Sequence, residues 1–169
     1  NGIENPIYKL GEADRGEGLK ELAQTGDAKK LAEALKKKAG VKAVYILAEP
    51  TSTVLLPMIN GKAGGKVSQQ LSVLPGDRIA IATMYGFSND WFFASAGNGI
   101  DATTTGDVTS SIALYDSGTG INQYPGAGIN QGGLGGTPMA ENKAIAAVAN
   151  PNAFNTLPSI NKMIKVTIN

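Results

Sequence analysis

The stretch Ile112-Ala113-Leu114-Tyr115-Asp116-Ser117-Gly118-Thr119 decides how this chain folds on paper. An apolar run ends in an acid, and turn-forming residues follow. A second stretch repeats the pattern: Ile79, Ile81 and Met84 precede Ser88-Asn89-Asp90-Trp91. If both runs are neighbouring strands, Asp90 and Asp116 emerge at one rim. Two carboxylates with nearby loop carbonyls make a hard-oxygen site of the kind Ca²⁺ prefers. The competing reading is a plain turn. Asp116 and Ser117 then bond their own backbone, and Gly118 supplies positive φ.

Composition sets the bounds around these two stretches. A length of 169 residues predicts one domain spanning residues 1–169. An apolar share of 42% supports a core, while only 17% of residues are charged and the net charge is +1. A nucleic-acid partner is not expected, because such binders carry a basic field. The cluster Lys36-Lys37-Lys38 ends a helical pattern, where cations suit the helix C-terminus. Histidine and cysteine are absent. That excludes zinc sites of the usual kind, cysteine nucleophiles and Ser–His pairs, so no hydrolase activity is expected. No apolar run reaches the length of a transmembrane segment. The first residue is Asn1 rather than Met, which reads as a leader removed either by the cell or in cloning. The missing cysteines fit an envelope protein that avoids stray disulfides.

In chain order, residues 1–16 are loop-like, with Asn5-Pro6 and several glycines. Leu19, Leu22 and Ala23 then share a helical face. Thr25-Gly26-Asp27 interrupts it, and Asp27 is placed to cap a second helix carrying Leu31, Ala34 and Leu35. Gly40 is expected to close that helix. The period then changes. Residues 41–48 read as a strand, centred on Val44, Tyr45 and Ile46. Residues 53–59 carry Pro57 and suit an edge or a loop, and Asn60-Gly61 and Gly64-Gly65 suit turns. Residues 66–73 alternate, with Val67, Leu71 and Val73 facing inward. Residues 78–84 are apolar on both faces and are expected to be the most buried strand. Residues 107–114 read as another strand and residues 162–168 as a terminal one, with Ile164, Val166 and Ile168 inward. Residues 117–140 read as a long ordered surface loop, and residues 144–149 as a short strand or helical turn. Many short strands separated by turns predict a mainly β chain, an antiparallel sandwich with one or two short helices near the N-terminus.

Several enzyme motifs fail on their own spacing. Gly64-Gly65-Lys66 is followed by Val67, and Asn60 stands where a phosphate loop needs glycine. The glycines between 126 and 136 lack the strand-to-helix setting of a dinucleotide fold. Residues 101–107 imitate a calcium loop with Gly106 at its sixth place. Thr103, Thr105 and Ile112 occupy positions that need oxygen-rich or acidic side chains.

Read together, Leu22-Ala23-Gln24-Thr25-Gly26-Asp27, Leu74-Pro75-Gly76-Asp77, Ser88-Asn89-Asp90-Trp91 and Gly106-Asp107-Val108-Thr109 form an ordered series. Leu114-Tyr115-Asp116-Ser117-Gly118-Thr119, Pro125-Gly126-Ala127-Gly128-Ile129-Asn130-Gln131 and Ile164-Lys165-Val166-Thr167-Ile168 complete it. The series resembles the spondin N-terminal domain family, found in F-spondin and in many bacterial secreted proteins. The match runs from about Gly18 to the end of the chain. The resemblance implies a C2-like β-sandwich, an extracellular or periplasmic setting, and non-catalytic adhesion to a matrix, glycan or surface ligand. A lipid- or glycan-binding module using C2-like rim loops is the alternative. An exposed basic or aromatic rim at Tyr85, Phe87 and Tyr124 would favour it, whereas Trp91 is expected in the core.

The resemblance also implies a calcium site. Animal members hold the ion through the Asp of a Ser-x-Asp-Trp motif and both acids of an Asp-x-Gly-Thr-Asp motif. Asp90 and Asp116 match the first two, while Gly120 stands in the third place. Asn122 is a weaker neutral donor, joined by Asn89 or by loop carbonyls. The family's strand before the helical region is poorly matched by residues 1–8. A missing strand there would leave a sheet edge open to a partner strand.

Overall fold

A computed structural model describes residues 4–47 and 65–169. Among them the chain is mainly β, with antiparallel sheets and a few short helices. Two helices come first, α1 (Leu19–Thr25) and α2 (Lys29–Lys36). Eight strands follow: β1 (Arg78–Ile79), β2 (Ala82–Met84), β3 (Trp91–Ser95), β4 (Ile100–Asp101), β5 (Gly106–Asp107), β6 (Ile112–Asp116), β7 (Ala146–Ala147) and β8 (Thr167–Ile168). A single-turn helix, α3 (Ile160–Met163), precedes β8. The central sheet has the order β2-β3-β6-β7, while β1 pairs with β4 and β5 with β8 as small ribbons. In the sheet's middle pair, Trp91 lies opposite Asp116, Phe93 opposite Leu114, and Ser95 opposite Ile112.

The period-2 alternation of a strand divides β3 between two cores. Phe92 and Ala94 face a cluster made with Ile7, Tyr8, Leu19, Leu22, Leu31, Leu35 and Tyr115. Trp91 and Phe93 face the other side, with Ile112, Leu114 and Leu157 and the half-buried Tyr85, Phe154 and Ile164. All five residues of β3 are therefore buried. Such double coverage explains why Trp91-Phe92-Phe93-Ala94 is continuously apolar rather than alternating. Tyr8 packs edge-on against Phe92 with ring centres 5.7 Å apart, tying the N-terminal segment to the sheet.

The two helices form one packed unit. Gly26, at φ 76°, ends α1 by donating its N–H to the Leu22 carbonyl. Asp27 accepts the N–H of Lys29 at 2.9 Å, but it stands one residue before the expected capping position: the N-cap of α2 is Ala28, which has no polar side chain to cap with. Gly18 is required where the helices meet. Its φ is 112°, and a Cβ there would lie 2.3 Å from the backbone nitrogen of Leu31.

Several expectations need correction. Residues 41–47 form no strand, and Tyr45, Ile46 and Leu47 are exposed. Residues 66–73 form none either; Leu71 and Val73 are exposed and Val67 is half-buried. Both runs have strand composition but no partner strand among the described residues, and composition alone supplies no ladder. Residues 78–84 are not one buried strand. They split into β1 and β2, which belong to different sheets, so Ile79 and Ile81 are only half-buried. Ile112 and Leu114 are buried as expected, while Val166 and Ile168 are half-buried. Gly40 does not close α2. That helix ends at Lys36, and Gly40 turns the chain at φ 83° four residues later. The run 107–114 is broken by a 3₁₀ turn at Thr109–Ser111, and the run 162–168 is shortened to β8 by α3. The readings of residues 48, 53–59 and 60–64, and of residues 1–3, lie outside the described residues. Among the described residues no helix is long and apolar enough to cross a membrane.

Candidate functional site

Antiparallel pairing carries the two acids to one place. β3 begins just after Asp90, β6 ends at Asp116, and the register sets Trp91 against Asp116. Asp90 sits in the connection leading into β3, not at the end of the preceding strand as its apolar run suggested. Ser88 shapes that connection. Its hydroxyl accepts the N–H of Trp91 at 3.0 Å and donates to the Tyr85 carbonyl at 2.7 Å. The result is a tight turn that presents Asp90 to the loop after β6.

That loop closes around the Asp90 carboxylate. Oδ2 accepts the backbone N–H groups of Thr119 at 2.7 Å and Gly120 at 2.9 Å. It also accepts the hydroxyls of Ser117 at 2.9 Å and Thr119 at 3.2 Å. Gln24 on α1 donates to the Thr119 hydroxyl at 3.1 Å, linking the helix to the rim. Asp116 makes its own Asx turn, accepting Gly118 N–H at 2.8 Å on Oδ1, and its Oδ2 accepts the Asn122 amide. Gly118 adopts φ 68°, and a Cβ on it would lie 2.3 Å from the Lys143 carbonyl. The incoming chain braces the loop through Lys143 N–H to the Gly118 carbonyl at 2.9 Å and Ile121 N–H to the Met139 carbonyl at 2.8 Å.

The opposite face of the Asp90 carboxylate is different. Asp90 is fully buried, and its Oδ1 has no hydrogen-bond partner among the described residues. The neighbouring Asn89 Nδ2 is likewise buried and unpartnered, while Asn89 Oδ1 accepts Gln123 N–H at 3.1 Å. Unpartnered buried polar atoms are rare; the Asp90 oxygen is an acceptor that a proton, a cation or a water would satisfy, whereas the Asn89 nitrogen is a donor that asks for an acceptor such as water. Burial, and then the charge of Asp116, push the Asp90 carboxyl up to about 6 against the pull of its donors. Burial wins because an ion loses its hydration on all sides, while only one of its two oxygens is compensated.

The expected convergence of Asp90 and Asp116 is thus present, and Asn122 joins them. Asn122 presents its amide nitrogen toward Asp116, so an oxygen donor there requires the amide to be turned over. Trp91 is buried in the core, whereas Phe87 and Tyr124 are exposed beside the site. Gly120 contributes its N–H to Asp90, a role that its missing side chain had concealed. Gln131 was also missed. It is fully buried and holds the loop by donating to the Tyr124 carbonyl at 2.7 Å and accepting Gly126 N–H at 3.0 Å. An uncharged amide inside a glycine-rich run carries little sequence signal, because the same residues populate any polar loop. A cleft of about 300 Å³ lies at the far end of β3, lined in part by Tyr8, Lys9, Asn98 and Tyr115; neither rim acid borders it.

Among the described residues no three acidic side chains gather as a metal-holding group. The space at Gly120 is also restricted, since a Cβ there would lie 3.0 Å from the Cβ of Pro138. Two carboxylates and one amide remain as the donor set. No family model, curated protein or solved structure matches the chain.

Proposed function

We propose that this chain is a non-catalytic binding module of the spondin type, a C2-like β-sandwich that works in a secreted or cell-envelope setting. Its task is attachment to a matrix, glycan or surface ligand. The ordered series of motifs supports the family reading, and the rim geometry supports a residual calcium site. One observation carries that site: Asp90 Oδ1 is buried and unpartnered beside Asp116.

The donor set fits calcium weakly. Asp90 Oδ1 and the Asp116 carboxylate would hold the ion, with Asn122 added after its amide turns over. Calcium sites ordinarily gather six to eight oxygens, and affinity rises with the number of carboxylates. A site with two acids therefore belongs at the weak end of the range. When bound, the ion would balance the two rim charges and stiffen the loop. The chain's own donors already do part of this work on Asp90 Oδ2.

An array of glycans and matrix proteins, probed with and without calcium, tests the reading. Retention on a matrix or glycan component, weakened by chelation, is the expected outcome. Absence of any retention would sink it. So would turnover of an ester, peptide or glycoside that disappears in Asp116→Asn.

A further inference from the structure

The segment between Gly65 and Leu74 carries chemistry that none of these roles uses. Residues 66–73 belong to no helix or strand, and all but the half-buried Val67 are exposed. None of their backbone N–H groups finds a partner among the described residues. Two adjacent glutamines, Gln69 and Gln70, sit at the centre of this segment. The chain has five glutamines, and the fold holds the other three. Gln24 is buried and donates to the Thr119 hydroxyl at 3.1 Å. Gln123 is half-buried, and its Oε1 accepts Asn130 N–H at 3.1 Å. Gln131 is fully buried and bonded at both ends of its amide. Gln69 makes a local bond from its amide nitrogen to the Gln70 carbonyl at 2.9 Å, and that bond is exposed. Water replaces such a bond at little cost.

We propose that Gln69 and Gln70 are acyl donors through which a transamidating thiol enzyme joins this chain covalently to lysine amines of a partner protein. The chain contains no cysteine, so the nucleophile is the enzyme's. Its thiolate attacks the glutamine Cδ, the bond from Cδ to the amide nitrogen breaks, and that nitrogen takes the thiol's proton and leaves as ammonia. The neutral lysine amine then attacks the thioester, and its proton returns to the departing thiolate. One carboxamide becomes one isopeptide bond, ammonia is the by-product, and nothing is oxidised or reduced. Two requirements select the site. The thiolate must reach Cδ, and of the five glutamines only Gln69 and Gln70 are exposed. The flanking backbone must also enter the enzyme's cleft. Residues 66–73 surrender no ladder when they are drawn in as an added strand, whereas the loop holding Gln123 and Gln131 must first open. The partner's class, a lysine-bearing matrix or surface protein, rests on the attachment reading above; the reactivity of the two glutamines does not.

Labelling of the folded full chain with dansylcadaverine, a fluorescent primary amine, tests this in a buffer containing a calcium chelator and a calcium-independent transglutaminase. The small amine stands in for the partner, and chelation keeps the result independent of the calcium and matrix reading. Peptide mapping should place the label on Gln69 or Gln70. Incorporation at Gln123 and Gln131 should be slower by about tenfold or more, because those sites wait for the loop to open. The double substitution Gln69→Asn with Gln70→Asn keeps both amides and shortens each side chain by one methylene. It should remove the fast labelling and leave the melting temperature unchanged, since both side chains are exposed. No incorporation into the folded chain would overturn the proposal. So would label that appears first at Gln24, Gln123 or Gln131, or a double variant labelled as fast as the parent.

Discussion

Replacing Asp90 by Asn tests the rim in its most exposed assumption, that charge on this carboxyl works against folding. Burial and Asp116 raise it from the ordinary 3.8 to about 6. One pKa unit corresponds to about 1.4 kcal/mol, so keeping Asp90 ionised at neutral pH costs the folded state about 3 kcal/mol relative to protonation. The proton has a natural place on Oδ1, where nothing competes and the four bonds to Oδ2 survive. Asn imitates the protonated group. Between pH 4 and 6 the folded chain binds more protons at Asp90 than the unfolded chain does. The Asp90 contribution to stability is therefore fully present below pH 4 and is lost as pH rises through 6. The half-buried Asp77 and the exposed Asp101 and Asp107, which hydrogen bonds hold low, oppose this trend and are common to both proteins. The difference between parent and Asp90→Asn isolates the effect. In chelator, Asp90→Asn should match the parent near pH 4 and exceed it by up to about 3 kcal/mol at pH 7.5. For a chain of this length that is a rise of roughly 6–12 °C in melting temperature. Thermal denaturation followed by circular dichroism from pH 4 to pH 8 reads it directly. A difference that stays flat across that range would show that burial and Asp116 do not govern the carboxyl, and the reasoning would fail.

Calcium should narrow the difference seen in the same experiment. If the ion binds only the folded chain, millimolar calcium raises the melting temperature of the parent, and Asp116→Asn removes the rise; identical curves with and without calcium would count against the site. Gly118→Ala should cost roughly 2–4 kcal/mol in a denaturant titration, because positive φ and the Lys143 carbonyl both resist a side chain. A change below about 0.5 kcal/mol would mean that the loop relaxes freely. Phe92→Ala should cost roughly 3–5 kcal/mol, since the ring is wholly buried between Tyr8 and Tyr115.

The rim was readable because its logic is local. An acid after an apolar run, followed by Ser-Gly-Thr, already contains the strand, its end and the donors. The turn reading and the shared-rim reading both describe part of the result, since Asp116 makes the turn while the loop's other donors hold Asp90. The helices were readable for the same reason, through Leu19, Leu22, Leu31 and Leu35 on one face and Gly26 between them. The outer strands were not. Tyr45, Ile46, Leu71 and Val73 have strand character, but a strand needs a neighbour, and no local pattern reports whether one is there. Burial of Ile7 and Tyr8 was equally hidden, because a loop of ordinary composition becomes core only through Phe92 and Tyr115, far along the chain.

A strand that is buried on both faces also constrains the order in which the chain assembles. The helical segment near the N-terminus and the segment around α3 near the C-terminus never form a common core; each packs on its own side of β3 and β6. Both flanks need that central pair before they have a surface to collapse on. The pair itself joins positions 91 and 116, a loop closure of modest length, whereas Tyr8 reaches across more than 80 residues to Phe92. Pairing of the middle strands is therefore the affordable first step, and attachment of the two ends is the late one. Cutting away either end would strip one side of the same sheet and leave Trp91 or Phe92 facing water. The two halves of the core are accordingly expected to melt as one unit, although each packs on its own face of the sheet.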